Sequence, residues 1–202
     1  MVATMLPTGF FAGEFYTDSK AEDPEFYDVL LGKEMLRLDD ATYAVWALAH
    51  GNPEQLAAGG ESNRLSLVSA ARDVGLEDID QQLSDLQELG LLVQVLPVGN
   101  QLKKFAQAHC VMPLAMGLGN ARHDLDRVRI GHPDNFRIAV PAVAYNIWLY
   151  SDRYESLWGV CEQLATQLNK DNSQVTPDKL LTEFLTVLPA MIAVSAAYID
   201  RR

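Results

Sequence analysis

One stretch of the chain occurs twice, and this repeat constrains the possible folds more than any other feature. Residues 36–46 align with residues 138–148 at one constant offset, with apolar or aromatic side chains at matching positions. Both copies end in a Tyr, one intervening residue, a β-branched residue and a Trp, which are Trp46 and Trp148. Alternating apolar residues match easily by chance, but this aligned ending does not. The repeat therefore predicts an internal duplication.

Each copy of the repeat begins in a predicted β-hairpin. In residues 28–38, and again in residues 128–140, apolar residues recur in strand period on both sides of a turn, which is typical of paired antiparallel strands. In the alignment of the two hairpins, Val29 corresponds to Val128. We expect a helix that carries the repeated Trp directly after each hairpin.

Residues 62–95 have the pattern of two helices followed by a strand. Apolar residues at helical spacing predict one helix on each side of Gly75, and Gly90 separates the second helix from an apolar strand. Together with the helix predicted over residues 41–49, this order resembles the winged helix-turn-helix family over about residues 41–95. The resemblance implies a fold that many proteins of unrelated function share.

The fold class predicted from these patterns is α+β, mostly helical, with two winged-helix-like halves that each contain a short β-hairpin. The first domain comprises residues 1–126, with an N-terminal arm, the first half and a linker, and the second, diverged half comprises residues 127–202. The arm, over residues 1–24, is expected to be irregular because it contains Pro and Gly. In the second half, Pro189 is expected to end a helix, and residues 190–199 to form a further helix.

Several connections and caps are also predicted. Asp39 or Asp40 is expected to cap the first repeated helix, because a carboxylate there accepts backbone N–H groups. A helix is possible over residues 101–112. Three polar or glycine-containing segments are predicted to be loops or turns. They are residues 54–61, 117–120 and 170–174.

The net charge of −11 is unevenly distributed along the chain. Residues 1–97 hold 17 acidic and 5 basic side chains, whereas residues 98–202 hold 10 acidic and 11 basic ones. An acidic surface repels the phosphates of nucleic acids and suits protein partners. No run of about 20 apolar residues predicts a membrane span. Two cysteines do not make a disulfide framework and no signal peptide is indicated, so we expect a cytoplasmic protein.

No pattern of residues indicates a catalytic, cofactor-binding or metal-binding site. The histidines and cysteines lack the spacing of a zinc site. They are His50, His109, His123, His132, Cys110 and Cys161. The sequence therefore favours a non-enzymatic protein without a cofactor. A weaker alternative is a small-ligand binder or enzyme with a pocket between the halves, near Gly117–Asn120.

The second helix of the predicted helix-turn-helix has an acidic solvent face. The candidate interaction face consists of Asp80, Gln81, Asp85, Gln87 and Glu88. Because a helix that binds DNA normally carries Arg or Lys for phosphates and guanines, this face disfavours DNA. The preferred function is a protein-interaction or scaffold/regulatory module that binds a protein partner or itself.

The alternative function is a winged-helix DNA-binding transcriptional regulator that uses residues 62–95. Its candidate nucleic-acid contacts are Arg64, Arg72, Lys103 and Lys104, the basic side chains nearest to the predicted helices and strand. The acidic charge of the first half argues against this alternative but does not exclude it.

Overall fold

The computed structural model describes residues 2–171 and 174–202, and it contains two units with the same order of elements. The first unit consists of β1 (Thr4–Pro7), β2 (Phe10–Phe15), β3 (Phe26–Leu31), β4 (Glu34–Leu38), α1 (Asp40–Leu48), α2 (Pro53–Ala57), α3 (Arg64–Asp73), α4 (Asp80–Glu88) and β5 (Leu92–Val95). In each unit a strand is followed by a three-stranded antiparallel sheet, by helices, and by a last strand that pairs with the first.

The second unit follows a connecting helix, α5 (Gly99–Ala108). It consists of β6 (His109–Pro113), β7 (Met116–Ala121), β8 (Asp124–His132), β9 (Asn135–Pro141), α6 (Ala142–Tyr150), α7 (Leu157–Leu168), α8 (Pro177–Ala193) and β10 (Ala197–Arg201), with single 3-10 turns at Ser151–Arg153 and Asn169–Asp171. Only the first unit has a short helix, α2, at the place between its first and second long helices.

The prediction of a mostly helical, winged-helix-like fold is wrong, although the α+β class holds. The structure is 43% helical and 29% strand, in four small sheets among the described residues. The strand after the second predicted helix, β5, does not return as a wing. It pairs with β1, which lies in the N-terminal segment that was expected to be irregular. Local patterning cannot reveal such a pairing, because the partner strand is more than eighty residues away.

Each unit is closed by a two-stranded ribbon, β1–β5 in the first and β6–β10 in the second. The registers are equivalent, since Pro7 lies opposite Leu92 and Pro113 lies opposite Ala197. Proline is tolerated at these positions because the next residues make the ladder bonds: the N–H groups of Thr8 and Leu114 donate to the carbonyls of Leu91 and Ala196, both at 3.0 Å.

The repeated tryptophans hold the two ribbons in place. Trp46 on α1 donates its indole N–H to the carbonyl of Thr8, and Trp148 on α6 donates to the carbonyl of Ala196, both at 3.0 Å. Thr8 directly follows β1 and Ala196 directly precedes β10, so the two indoles bind opposite strands at the same end of their ribbons. Both tryptophans are buried, and each bond satisfies a buried polar group.

The β1–β5 ribbon lies between two hydrophobic cores. Met5 and Leu92 belong to the core of the first unit, whereas Leu6 and Val95 belong to the core of the second. Because side chains alternate along a strand, one ribbon serves both cores. The units therefore pack as one body around this ribbon.

Both predicted hairpins are confirmed, but each is part of a three-stranded sheet, and their alignment needs a correction. Val29 lies opposite Leu36 in the first sheet, and Ile130 lies opposite Ile138 in the second. Val29 therefore corresponds to Ile130 and not to Val128. A bulge in the second sheet shifts the register beyond Ile130 and lengthens the hairpin.

The ends of α4 and α8 are equivalent as well. Gly90 and Ser195 both have positive φ, at 74° and 53°. Each is followed by a backbone N–H that bonds five residues back, as in a Schellman motif. The expected helix end at Pro189 is wrong, because α8 continues through this proline to Ala193, and the further helix expected over residues 190–199 is instead the end of α8 and strand β10.

The predicted connections had mixed outcomes. Asp39 caps α1 as expected, and its carboxylate accepts the Thr42 N–H at 2.8 Å. The loop predicted over residues 54–61 is wrong in part, since it includes most of α2. The turn predicted over residues 117–120 is wrong, since all four residues lie within β7. The loop predicted over residues 170–174 includes residues 172 and 173, which lie outside the described residues.

The domain boundary between residues 126 and 127 stays a prediction. Strand pairing associates β6 and β7 with later elements, since β6 pairs with β10 and β7 with β8. The helix expected over residues 101–112 is α5 in its first part and β6 in its second. Among the described helices, none has both the length and the apolar composition to cross a membrane.

Replacing either repeated tryptophan by phenylalanine should destabilise the protein. Trp46→Phe removes the indole donor of the Thr8 carbonyl, and Trp148→Phe removes one of two donors of the Ala196 carbonyl, which also accepts the Leu114 N–H. Both changes also remove packed volume, so we expect each to lower the free energy of unfolding by about 2 kcal/mol or more. Trp158→Phe is the matched control, because a phenyl ring can still pack beneath the Lys103 ammonium. Urea unfolding measures all three, and equal losses would contradict the role of the indole bonds.

The two positive-φ positions give a reciprocal prediction. Ser195→Gly should raise the free energy of unfolding by about 0.5–1 kcal/mol, because glycine adopts this backbone conformation without steric cost. Gly90→Ser should lower the free energy of unfolding by a similar amount, because serine is strained at this positive φ. The added Cβ would meet only Leu31, at 3.7 Å, so no clash adds to this cost. Thermal and urea unfolding of both variants provide the measurement. Shifts of the same sign in both would refute the equivalence of these helix ends.

Candidate functional site

A groove of about 1160 Å3 opens between α1, α2 and α3 of the first unit. We call it the α1–α3 groove. Its floor is formed by buried Met5 and Leu67. Small or aliphatic side chains from the three helices form much of its walls. They include Ala44, Ala47, Leu48, Leu56, Ala70 and Val74.

The segment between α1 and α3 lines one side of the groove. Asn52 caps α2 and accepts the N–H groups of Glu54 and Gln55 at 2.9 and 3.3 Å. Gly60 turns back onto α2, where a Cβ would lie 2.7 Å from the Gln55 carbonyl oxygen. Only glycine fits this close approach, so Gly60 fixes the path of the segment between α1 and α3.

The second unit has a much smaller cavity at the equivalent place. It measures about 160 Å3 and lies between α6 and α7. The segment that joins these helices is a single 3-10 turn and a few residues, without a counterpart of α2. The two cavities are therefore related by the internal repeat, and the first is several times larger.

Side-chain size on the second long helix accounts for part of this difference. The N-caps of α3 and α7 are Asn63 and Ser156, and each accepts the N–H three residues later. Aligned on these caps, Ala70 corresponds to Gln163, and Val74 corresponds to Gln167. Both glutamines line the small cavity, whereas the alanine and valine line the large groove.

The first long helix shows the same contrast. Aligned on the repeated tryptophans, Ala44 corresponds to Asn146 and Leu48 to Tyr150. All four residues line their respective cavities. The second unit thus fills with its own side chains the space that the first unit leaves open.

The charged residues at the α1–α3 groove are acidic. Glu61 and Asp73 line it, and no Lys, Arg or His does so among the described residues. Two lining carboxylates, with no cation among the described lining residues, favour a cationic or neutral occupant over an anionic one.

A second exposed surface lies on the outer side of the β2–β3–β4 sheet, which we call the first-sheet face. Phe10 lies opposite Leu30, which lies opposite Met35, and Phe15 stacks on Phe26 with ring centroids 5.3 Å apart. Phe10, Phe15 and Met35 are 39%, 41% and 55% exposed, respectively. Large exposed apolar side chains gathered on one sheet mark interaction surfaces more often than isolated ones do.

Acidic side chains lie at one end of the first-sheet face. The loop between β2 and β3 carries Asp18, Glu22, Asp23 and Glu25, all exposed, against the single base Lys20. This loop extends from the end of the sheet that holds the Phe15–Phe26 pair. The surface is therefore aromatic at its centre and acidic at one end.

The predicted interaction face on α4 is a solvent-facing surface. Asp80, Gln81, Gln87 and Glu88 are exposed and Asp85 is half-buried. Gln81 donates to the Asp85 carboxylate at 2.7 Å. The structure thus brings these five residues together on one helix, and whether they contact a partner stays a prediction.

The four predicted nucleic-acid contacts lie on two separate helices, α3 and α5. Arg64 and exposed Arg72 lie on α3, and Arg64 pairs with Asp80 of α4. Lys103 and Lys104 lie on α5, which packs against the second core, and the Lys103 ammonium lies 4.4 Å from the centre of the Trp158 ring. Two of the four cations already have partners within the chain, and DNA binding stays a prediction.

The histidines and cysteines form no cluster in this structure. Both cysteines are free and buried, and burial raises the pKa of the Cys161 thiol to about 12. Among the described residues there is no group of three or more His, Cys, Asp or Glu side chains that is arranged to hold a metal ion. Near Gly117, where a ligand pocket was one alternative, the Tyr145 ring packs so closely that a Cβ would lie 2.0 Å from its hydroxyl.

The α1–α3 groove was not foreseen from the sequence. The sequence does contain a signal for the groove. The stretch between the repeated Trp helix and the next helix is longer in the first copy, because residues 49–63 have no counterpart of similar length in the second copy. A signal for the ribbons exists in Leu6-Pro7 and Met112-Pro113, an apolar residue and a proline that occupy equivalent strand ends.

No protein-family model, curated protein or solved structure matches the chain. The geometry of its surfaces is therefore the basis for inferring its function.

The imidazole of His50, beside the groove, predicts a loss of stability in acid. Burial lowers the pKa of His50 below its usual value of 6.5, and the bond from its ring to the Trp46 carbonyl opposes this only in part. Because the unfolded chain then binds the proton at higher pH than the folded chain, the free energy of unfolding should fall as the pH drops below about 6.5. His50→Gln should reduce this slope in urea unfolding.

The exposed His123, on the turn between β7 and β8, provides the matched control for this measurement. His123→Gln should keep the slope of the unmodified protein. An unchanged slope in His50→Gln would contradict the assignment.

Proposed function

We propose that this protein is a non-enzymatic protein-interaction module whose acidic first unit binds another protein or a second copy of the chain. The observation that carries the proposal is the first-sheet face, an exposed group of aromatic and aliphatic side chains on the acidic half of the molecule. A contact of this kind loses water from apolar surface on binding, which is the main favourable term in protein association.

The composition of the face supports a protein partner. Aromatic residues and arginine are enriched at the centre of protein interfaces. Here the guanidinium of Arg37 lies over the Phe26 ring at 3.3 Å and pairs with Asp28 at 3.4 Å. These contacts hold the Phe26 ring in place before a partner arrives, which lowers the entropic cost of binding.

The charge distribution supports the same proposal and indicates the partner's character. Acidic residues lie at one end of the aromatic centre, so a partner with basic residues beside an apolar patch would be steered toward it. A cytoplasmic location belongs to this proposal, and the two free buried thiols are compatible with a reducing compartment.

Removing the exposed apolar side chains should weaken association. In Phe15→Ser with Met35→Ser, we expect at least about a tenfold loss of affinity, since each change removes apolar area from the centre of the contact. Sedimentation velocity measures self-association, and quantitative capture of partners from a lysate, followed by affinity measurement with the partner found, measures binding to other proteins.

The second sheet supplies a matched control. Phe136→Ser with Met116→Ser changes the same residue types on the β7–β8–β9 sheet, where these side chains are 56% and 49% exposed. This variant should associate like the unmodified protein. The proposal fails if both double variants lose binding equally, or if the only ligand found is duplex DNA whose binding Arg64→Glu and Arg72→Glu abolish.

A further inference from the structure

We propose that the α1–α3 groove is a second binding site and that it takes a basic, amphipathic helical segment of a partner protein. This inference uses a surface other than the first-sheet face, although it rests on the proposed function in assuming that the partner is a protein. Three observations carry it: the difference between the repeated units, the state of the backbone at the groove floor, and the charge of the lining.

The internal repeat shows that the scaffold does not require a groove. The second unit has the same ribbon, the same sheet order and equivalent helix ends, yet Gln163, Gln167 and Tyr150 fill the corresponding space. The first unit has alanine, valine and leucine at these positions and adds α2 at the end of the groove. The open space is therefore a feature of the first unit alone and not a consequence of the shared architecture.

The backbone at the floor excludes an added strand as the occupant. The N–H of Met5 donates to the Ser62 carbonyl at 2.8 Å, and the Met5 carbonyl accepts the Ser62 hydroxyl at 2.8 Å. The outer edge of β1 is thus already occupied at this residue, and strand addition needs free backbone groups.

A helix fits the walls better, because the walls are themselves helices. Ser66, Ala70 and Asp73 recur at three- to four-residue spacing along α3, and Ala44, Ala47 and Leu48 do so along α1. Small side chains let a third helix approach closely, with its own apolar residues at i, i+3, i+4 and i+7 in the groove.

The negative charge of the groove lining favours a basic segment as the occupant. Glu61 and Asp73 lie at the groove without a cationic neighbour among its described lining residues, and they belong to the half of the chain that holds the acidic excess. Lysine or arginine on the flank of a bound helix would pair with them, whereas an anionic lipid or nucleotide would be repelled.

The test uses a fluorescein-labelled peptide of about 12 residues, the length that runs alongside a helix of the size of α3. It contains Leu and Ala at helical spacing and Lys elsewhere, and a second peptide has Glu in place of every Lys. Fluorescence anisotropy with the full chain should show saturable binding of the Lys peptide, weakened by salt, and no binding of the Glu peptide.

Filling the groove with the residues of the second unit tests its shape without changing its charge. The triple variant Ala44→Asn, Ala70→Gln and Val74→Gln should raise the dissociation constant of the Lys peptide at least about tenfold. These positions are partly or largely exposed, so the variant should fold, which circular dichroism and thermal unfolding verify.

A pair of double variants tests the charge. Glu61→Gln with Asp73→Asn should weaken binding of the Lys peptide and flatten its salt dependence. Glu155→Gln with Glu162→Gln removes the same number of exposed carboxylates from the second unit and should leave binding unchanged. A similar loss in both variants would mean that net charge alone attracts the peptide, which overturns the proposal.

Three further outcomes would overturn the proposed peptide site. Equal binding of the Lys and Glu peptides, no binding of either, or undiminished binding by the groove-filled variant each overturns the groove as a site for a basic helix. Partner capture that depends on Phe15 and Met35 would survive such a result. The two proposals can therefore fail separately, because the groove-filled variant leaves the first-sheet face intact.

Discussion

The β1–β5 ribbon is the constraint on which the rest of the structure depends. Its two strands come from opposite ends of the first unit, and its two faces supply side chains to different cores, with Met5 toward the first and Leu6 toward the second. A strand buried on both faces cannot be removed without exposing both cores. The indole of Trp46 fixes one end of this ribbon through the Thr8 carbonyl, and Trp148 does the same for the second ribbon.

A scaffold held in this way can vary elsewhere without losing its fold. Ribbons, sheets and helix ends are equivalent in the two units, and the units differ mainly where the chain connects the first and second long helices. That connection includes α2 in the first unit and a single 3-10 turn in the second. The difference leaves an open groove in one unit and a nearly filled cavity in the other.

Local features of the fold were predictable, and long-range pairing was not. The hairpins, the Asp39 cap and the helices with regular apolar spacing depend on residues close in sequence, and these predictions hold. The winged-helix resemblance failed because a strand after two helices has the same local pattern whether it returns as a wing or pairs with β1. The helix end predicted at Pro189 was wrong for a related reason. The helix α8 is packed along most of its length against the second core, and this packing offsets the cost of an interior proline.

Residue order alone was enough to predict a duplicated α+β protein with its acidic charge in the first half, because repeats, periodicity and charge can be read directly from the chain. The folded chain was needed to show that the ends of each unit pair, that Ala70 and Val74 border an open groove, and that Phe10, Phe15 and Met35 share an exposed face. The physical reason is that alanine, valine and phenylalanine are ordinary core residues in any helix or strand. Whether such a side chain is buried or borders a binding surface depends on what packs against it, and that is set by contacts between residues far apart in the chain.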